Sequence, residues 1–483
     1  MILKKLLSGV DILEISDISL LDIDIKEISY NSNNLKEDSL FIAYKGANFD
    51  SHSIVDRLFN TGRVIAFVTE KAVEGFPFIR VDNGRIASAI IIKNYFSIFP
   101  GCFKSAAAVT GTNGKTTISY LMDSIYNLSG LRSVRLSTTN YKIVNKSLPA
   151  DTTTPAPYVF YKLISEGIQE SADILVAEVS SHALAQDRVY GFRFDLAIFT
   201  NLSGDHMDYH ENMDDYYNAK KKLFSNSYSS IALINIDDEY GKRLYRDAEI
   251  AKYSYSLERD ADIKVISNEF SIDGVKAKIQ IFDKNNIEIM SHLVGKHNLY
   301  NIVAAAGGAF ILGLDIDSII KGIGTLRCVP GRLEKLDKDG IYFFVDYAHT
   351  DDALENVLKT LILFKNRNLI TVFGCGGDRD RSKRSRMGSI AEKYSDIVIL
   401  TSDNPRTEDP ESIILEILKG ITGRDKVYIE ADRREAIKLA YSLSSRGDIV
   451  LIAGKGHEDY QIIGKEKKHF DDREEIKELS KVN

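Results

Sequence analysis

Short apolar runs closed by polar or glycine-rich turns recur along the whole chain, and their spacing predicts alternating strands and helices. In the first hundred residues, runs at 39–44, 64–69 and 78–81 predict strands, and 86–96 has the periodicity of a helix. Phe99-Pro100-Gly101 reads as a linker. Strands are next predicted at 106–109, 173–179, 196–201 and 231–235, and helices at 118–126, at 216–224 and from His297 through Gly307. Val329-Pro330-Gly331 makes a second break. Beyond it, apolar runs at 341–346, 370–373, 397–401, 427–429 and 449–453 alternate with helical segments, the signature of an open and mostly parallel sheet. The expectation is an α/β protein of three domains: 1–100, 101–330 and 331–483.

The stretch from Val109 to Thr117 adds chemistry to this pattern. It reads Val-Thr-Gly-Thr-Asn-Gly-Lys-Thr-Thr, between a predicted strand and a predicted helix. Strand, glycine turn, Lys-Thr and helix together suit a polyphosphate, because backbone N–H groups and a helix N-terminus face the anion. Lys115 supplies a point charge to the outer phosphates, and the Thr116 hydroxyl is placed to ligate Mg²⁺. The general phosphate-loop pattern has a glycine where this chain has Val109, so the loop is a variant.

Glu178 ends the strand expected at 173–179, where a Mg²⁺ ligand stands in such folds; a helix cap or an arginine partner is the plainer reading. His206 and His210 are four apart, but Met207 stands where a zinc protease needs glutamate, which excludes that site. One imidazole on a divalent ion, or a structural histidine, are the readings left. Lys220, Lys221 and Lys222 on a predicted helix read as a solvated face. Gly374-Cys375-Gly376-Gly377-Asp378-Arg379 follows a strand but lacks the dinucleotide spacing, and Cys375 reads as a small buried thiol.

Composition narrows the class. The 483 residues are 44% hydrophobic and 27% charged, ordinary for a soluble globular chain. A formal charge of −7 argues against a general nucleic-acid binder, so anionic substrates need local Arg, Lys and backbone donors. Three cysteines make no disulfide framework. Without a signal peptide or membrane span, a cytoplasmic monomer is expected.

Together these motifs resemble the Mur ligase family, the ATP-dependent amide-forming enzymes of bacterial cell-wall precursor synthesis. The resemblance rests on the loop at 110–117, Glu178-Val179-Ser180-Ser181-His182, residues 201–210, His297 to Asn301, Gly331-Arg332 and Asp346-Tyr347-Ala348-His349. Asp403-Asn404-Pro405-Arg406 and Gly454-Lys455-Gly456-His457-Glu458 are similar to members that add meso-diaminopimelate to UDP-N-acetylmuramoyl-L-alanyl-D-glutamate. The resemblance implies a central phosphate-loop ATPase-type domain, a Rossmann-like C-terminal domain, and ATP and Mg²⁺ as co-substrate and cofactor. L-lysine or meso-lanthionine are the alternative amino acids, and a non-catalytic nucleotide-sensing protein is the alternative from another class.

It also implies roles by position. Gly111, Thr112, Asn113, Gly114, Lys115, Thr116 and Thr117 hold the nucleotide, with Asn301, Arg332 and Asp346 on its adenosine or phosphate side. Thr116, Glu178 and His206 meet Mg²⁺. Lys220 matches the family lysine carbamylated to N6-carboxylysine, and with Lys115, Glu178 and His206 it forms the catalytic set. Tyr30, Ser32, Thr152, Thr153, Thr154, Ser180, Gln186 and Arg188 contact the UDP-sugar peptide, with Ala47, Asn48 and Phe49 near the uridine. Arg379, Asp403, Asn404, Pro405, Arg406, Gly454 and Glu458 meet the amino acid. There Arg406 grips the distal carboxylate, and Asn404, Glu458 and the Gly454 carbonyl take the ammonium. A loop ion pair of Arg406 with Glu408 or Asp409 is the plainer reading. The chain departs from the family at Asn31-Ser32-Asn33, at His349-Thr350-Asp351-Asp352 and at 136–141, where the usual glycines are missing.

Overall fold

The structure is a computed structural model describing every residue except Tyr30, Asn31, Asn33, Asn34, Ala47, Asn48, His206, Asp208, Lys284 and 481–483. Among the described residues the strands form three main sheets and one separate hairpin. The first sheet orders Ile12–Ile15, Phe78–Val81, Val64–Thr69, Ser39–Ala43 and Glu27–Ser29, parallel except for Ile12–Ile15. Tyr158 OH donates to Glu27 Oε1 at 3.0 Å and joins this sheet to the next.

The second sheet is centred on Ser105–Thr110, flanked in parallel by Ile174–Glu178 and Phe194–Phe199. Successive side chains of a strand point to opposite faces, and here both faces are covered. Ala106 and Ala108 enter one apolar core while Ala107 and Val109 enter the other. The helices Lys115–Leu128, Lys296–Ile311 and Ile316–Thr325 pack together over the second core. Antiparallel strands extend the sheet at both ends: Ser133–Leu136 with Asn140–Ile143 and Lys146–Pro149, and Ile263–Ser271 with Gly274–Ile281 and Asn285–Ser291.

The third sheet orders Glu334–Lys338, Ile341–Asp346, Ile449–Ala453, Leu369–Phe373, Ile397–Leu400 and Val427–Ile429. Only Glu334–Lys338 runs antiparallel to its neighbour. This is the open sheet predicted beyond Gly331. Tyr460–Ile463 and Glu466–His469 form the hairpin. In open parallel sheets ligands collect beyond the carboxyl ends of the strands, and here those ends carry 111–114, 178–180, 374–379, 403–406 and 454–458.

Candidate active site

The loop after Ser105–Thr110 has a shape that only glycine permits at two points. Gly111 and Gly114 have φ of +143° and +91°. A Cβ at Gly111 would lie 1.9 Å from Thr200 Oγ1, and one at Gly114 would lie 2.4 Å from Asn301 Oδ1. The loop is pinned by the end of the neighbouring strand: Thr112 N donates to Asn201 O and Asn113 N to Asn201 Oδ1, both at 2.9 Å. The helix Lys115–Leu128 then starts with its free N–H groups at the loop mouth.

Lys115 Nζ donates to Gly111 O and Thr112 O, each at 2.8 Å. Lys220 Nζ donates to the same Gly111 O at 2.9 Å and stands 4.6 Å from the centre of the Tyr216 ring. The helix Met213–Lys221 turns Lys220 inward to 1% exposure, while Lys221 pairs with Asp247 and Lys222 with Asp187. The solvated-face reading is therefore corrected for Lys220: its side chain lies on the core side of that helix. Burial, reinforced by Lys115, pushes the Lys220 ammonium well below its usual range, and Asp205 pulls the other way. Lys115 is lowered mainly by burial, with Glu178 and Asp205 opposing.

Glu178 is fully buried at the end of its strand. It caps no helix and pairs with no arginine among the described residues. Its carboxylate accepts from Thr116 Oγ1 at 3.1 Å, Thr138 N at 3.0 Å and Thr138 Oγ1 at 2.8 Å. Thr138 was not singled out in the sequence, because it sits in the stretch that departs from the family's glycine-rich form. Arg332 reaches over from the third sheet, its Nη2 3.4 Å from Thr116 Oγ1 and its guanidinium 4.6 Å from the centre of the Tyr347 ring. Arg332 Nε is buried with no partner among the described residues. Asp346 accepts from Leu333 N at 2.6 Å and Ala348 N at 2.8 Å, so it holds the backbone that carries Arg332. Asn301 touches the loop at Gly114 and donates to Asn298 Oδ1 at 3.1 Å.

A second group adjoins Glu178. Thr154 Oγ1 donates to Glu178 O at 2.8 Å and accepts from Ser180 N at 2.9 Å, and Thr138 Oγ1 meets Thr153 Oγ1 at 3.1 Å. Arg188 Nη1 donates to Thr154 O at 2.8 Å, its Nε donates to Gln186 Oε1 at 3.0 Å, and Thr152 Oγ1 donates to Thr154 O at 3.0 Å. Thus Thr152, Thr153, Thr154, Ser180, Gln186 and Arg188, scattered in sequence, are brought together. No carboxylate pairs with Arg188 among the described residues. Of the remaining calls in this set, Ser32 and Phe49 lie in the first unit, Phe49 being exposed. Tyr30, Ala47 and Asn48 lie outside the described residues, as does His206. His210 is buried between Ser181 Oγ and Asp215 Oδ2, each 3.0 Å from a ring nitrogen, so it is a structural histidine.

The third group hangs on the third sheet. Arg384, 1% exposed, binds Glu408, Glu416 and Gly376 O, and ties the 374–379 turn to the 403–409 segment. Glu408 also binds Arg381, and among the described residues no ion pair joins Arg406 to Glu408 or Asp409, the plainer alternative. Arg406 instead donates from Nη1 to Gly377 O at 2.8 Å. Arg379 and Arg406 flank Gly376. Asn404 is committed: Nδ2 donates to Glu458 Oε2 at 2.9 Å, and Oδ1 accepts from Ile462 N at 2.9 Å and from Lys455 Nζ at 3.3 Å. Both lone pairs of that oxygen are engaged within the chain, and the Asn404 amide holds Glu458. Gly454, with φ of +113°, packs against the Asp403 carboxylate, and Pro405 O closes on Gly377. Lys455, fully buried, also reaches Glu458 at 3.2 Å and had not been singled out. Cys375 is buried on Met387, and burial pushes its thiol up to about 12, which suits packing and not nucleophilic work.

A phosphate-loop motif at the strand ends of one α/β sheet, met by a guanidinium from the segment leading into a second, is the arrangement of a multidomain α/β nucleotide-dependent ligase. The Mur ligase middle domain matches residues 109–309, and the Mur ligase glutamate ligase domain matches residues 331–456. UDP-N-acetylmuramoyl-L-alanyl-D-glutamate–2,6-diaminopimelate ligase of Geobacter metallireducens is 42% identical, with 94% of each chain covered. The Clostridium tetani protein of the same name is 40% identical over 95% of each. A solved structure of a ligase of that name superposes with a TM-score of 0.73 at 31% identity, covering 99% of this chain and 98% of the other. This chain belongs to the Mur ligase family.

Proposed function

We propose that the chain ligates meso-2,6-diaminopimelate to the D-glutamate of UDP-N-acetylmuramoyl-L-alanyl-D-glutamate, using ATP, in the cytoplasm. The observation that carries this reading is the junction at Glu178. One carboxylate there touches the phosphate-loop threonine, Thr116, and the Thr138–Thr153 group on the other side. The full-length relatives bear the name of that reaction. Residues 1–100 are assigned to the UDP-sugar, 101–330 to ATP and 331–483 to the amino acid.

A carboxylate is a poor electrophile, because its charge repels an incoming amine and its oxygen leaves badly. Transfer of the γ-phosphoryl group of ATP to the glutamyl carboxylate creates an acyl phosphate with a good leaving group. The amine of diaminopimelate then attacks the carbonyl carbon, the C–N bond forms, a proton is lost and phosphate leaves. Both steps gather anions, so the work of the chain is to neutralise and orient charge. Lys115, Arg332 and the first-turn N–H groups supply positive charge. Arg188, without a carboxylate partner, suits a carboxylate of the peptide. Closing three binding regions over one junction keeps water from the acyl phosphate.

The Thr116 hydroxyl and Glu178 carboxylate are hard oxygen donors 3.1 Å apart, and they fit Mg²⁺, which usually takes one or two carboxylates together with phosphates and water. No group of three His, Cys, Asp or Glu gathers among the described residues, so His206 and a carbamate on Lys220 are assigned the remaining protein positions. Mg²⁺ there supplies charge to the transferring phosphoryl group. Lys220 is suited to carbamylation, since burial disfavours its ammonium form and the free amine is nucleophilic toward CO₂; an N–C bond forms and a proton is released. The test is phosphate release from ATP with the UDP-linked dipeptide and either meso-diaminopimelate, meso-lanthionine or L-lysine. Release with the first is expected, meso-lanthionine follows it because it has the same two ends, and a preference for L-lysine overturns the assignment.

A further inference from the structure

The hairpin of Tyr460–Ile463 and Glu466–His469 stands outside the third sheet and beyond residues 331–456, the stretch shared with the family's ligase domain. Its inner strand nevertheless grips the turn that carries Arg406. Gln461 Nε2 donates to the Asp403 carbonyl at 2.7 Å, and Ile462 N donates to Asn404 Oδ1 at 2.9 Å. Arg406 is held on both sides of its Cα: its N donates to Ile462 O at 3.1 Å, and its O accepts from Gly464 N at 2.7 Å. That clasp matters because Arg406 has φ of +52°, the left-handed region in which Cβ crowds the backbone. In this conformation the guanidinium is turned onto Gly377 O, beside Arg379. Of these four bonds, three use main-chain groups of the hairpin, and the Gln461 bond is the one made by a hairpin side chain.

We propose that Gln461 is a positioning residue for amino-acid selection. By holding the Asp403 carbonyl it fixes the 403–406 turn, and through the turn the direction in which Arg406 presents its guanidinium. The inference rests on the reading that Arg406 grips the distal carboxylate of diaminopimelate. A bidentate arginine–carboxylate contact depends on the orientation of a planar fork, so a turn free to rock loses affinity at that end alone. ATP and the UDP-linked dipeptide bind to other elements and do not sense it.

The experiment compares wild type with Gln461→Met, which keeps the length of the side chain and removes its amide, and with Gln461→Lys, which keeps an N–H donor. Steady-state KM is measured for all three substrates, with the thermal midpoint alongside. In Gln461→Met the KM for meso-diaminopimelate rises about tenfold, the size of one lost hydrogen bond. The KM values for ATP and dipeptide, kcat at saturating amino acid and the thermal midpoint stay within twofold or within error. Gln461→Lys recovers most of the loss. A diaminopimelate KM unchanged in Gln461→Met overturns the proposal, and so does a parallel rise in all three KM values with a lowered midpoint. A wild type indifferent to meso-diaminopimelate overturns the substrate reading as well, which separates the two failures.

Discussion

Two clusters of charge lie on either side of the Arg332–Thr116 contact, and they are built by opposite rules. Around the phosphate loop, Lys115, Lys220 and Glu178 make no direct ion pair among the described residues, although Glu178 and Asp205 act on Lys115 from farther away. Lys115 and Lys220 share the Gly111 carbonyl, and among the described residues Glu178 is held by hydroxyl and amide groups. In the third sheet, buried ions are paired: Arg384 with Glu408 and Glu416, Arg433 with Asp472, the last pair fully enclosed. Burying a charge without its opposite is costly, so a fold retains such charges where a ligand brings the opposite charge. Paired ions have no such vacancy to offer; they fix the backbone on which Arg379 and Arg406 are displayed. On the proposed reading the first cluster does chemistry with its own side chains, and the second positions others.

The sharpest way to break this contrast is Lys115→Ala. If the unpaired lysine is there for phosphate, turnover falls on the order of 10³-fold, the effect of deleting a charge-stabilising group from a reacting centre. Among the described residues its Nζ hydrogen-bonds two loop carbonyls and no side chain, so circular dichroism and the thermal midpoint stay near wild type. Normal phosphate release in this variant would mean that the loop does not hold the reacting phosphate. Lys220→Ala is expected to be nearly inactive as well, for a different reason: the vacated space is one where an anionic oxygen belongs. Added short carboxylic acids should then restore part of the activity of Lys220→Ala and none of that of Lys115→Ala. Failure of the acids to distinguish the two variants would remove the carbamate.

Arg406→Ala probes the other cluster. Losing one charge-assisted pair costs about 2–5 kcal/mol, roughly 30-fold or more in affinity for diaminopimelate. ATP binding is unaffected, because the Arg406 guanidinium bonds to Gly377 O and Asn404 O in the third-sheet loops and to no residue of the phosphate loop among the described residues. Titration of the variant with nucleotide and with amino acid separates the two effects. Equal loss of both would show that Arg406 supports the whole C-terminal unit, contrary to the division drawn here.

The two regions also differed in how much of them could be read from sequence. The buried parallel strands were legible because both faces are covered and the apolar runs are continuous; Ile341–Asp346 and Ile449–Ala453 stand at the expected bounds. Ile263–Ser271 was not foreseen. Most of its residues face solvent, so it has no apolar run to mark it, and its place comes from pairing with Gly274–Ile281. The phosphate loop was legible because its chemistry is contiguous in the chain. Thr138, Lys455 and Gln461 were not, because each acts across 40, 51 or 58 positions on a partner that only the folded chain brings near. The bonds of the Asn404 amide to Glu458 and Ile462 likewise join positions 54 and 58 apart.

The smallest expected effect tests the contrast within a single turn of helix. Lys221 and Lys222 follow Lys220 directly, yet they obey the pairing rule: Lys221 Nζ is 3.3 Å from Asp247 and Lys222 Nζ is 3.2 Å from Asp187, with side chains 38% and 44% exposed. Water and salt screen ion pairs at that exposure, and each is worth about 0–1 kcal/mol. Lys221→Ala and Lys222→Ala should therefore keep wild-type kcat and KM, with thermal midpoints lowered by a few degrees at most. Raising the salt concentration in the wild type should erase even that difference, because the screened pair contributes less there. The comparison is made at one protein concentration with all three alanine variants side by side. Three lysines that lose activity alike would mean that the run acts as one charged surface, and that the inward turn of Lys220 onto Gly111 has no separate role.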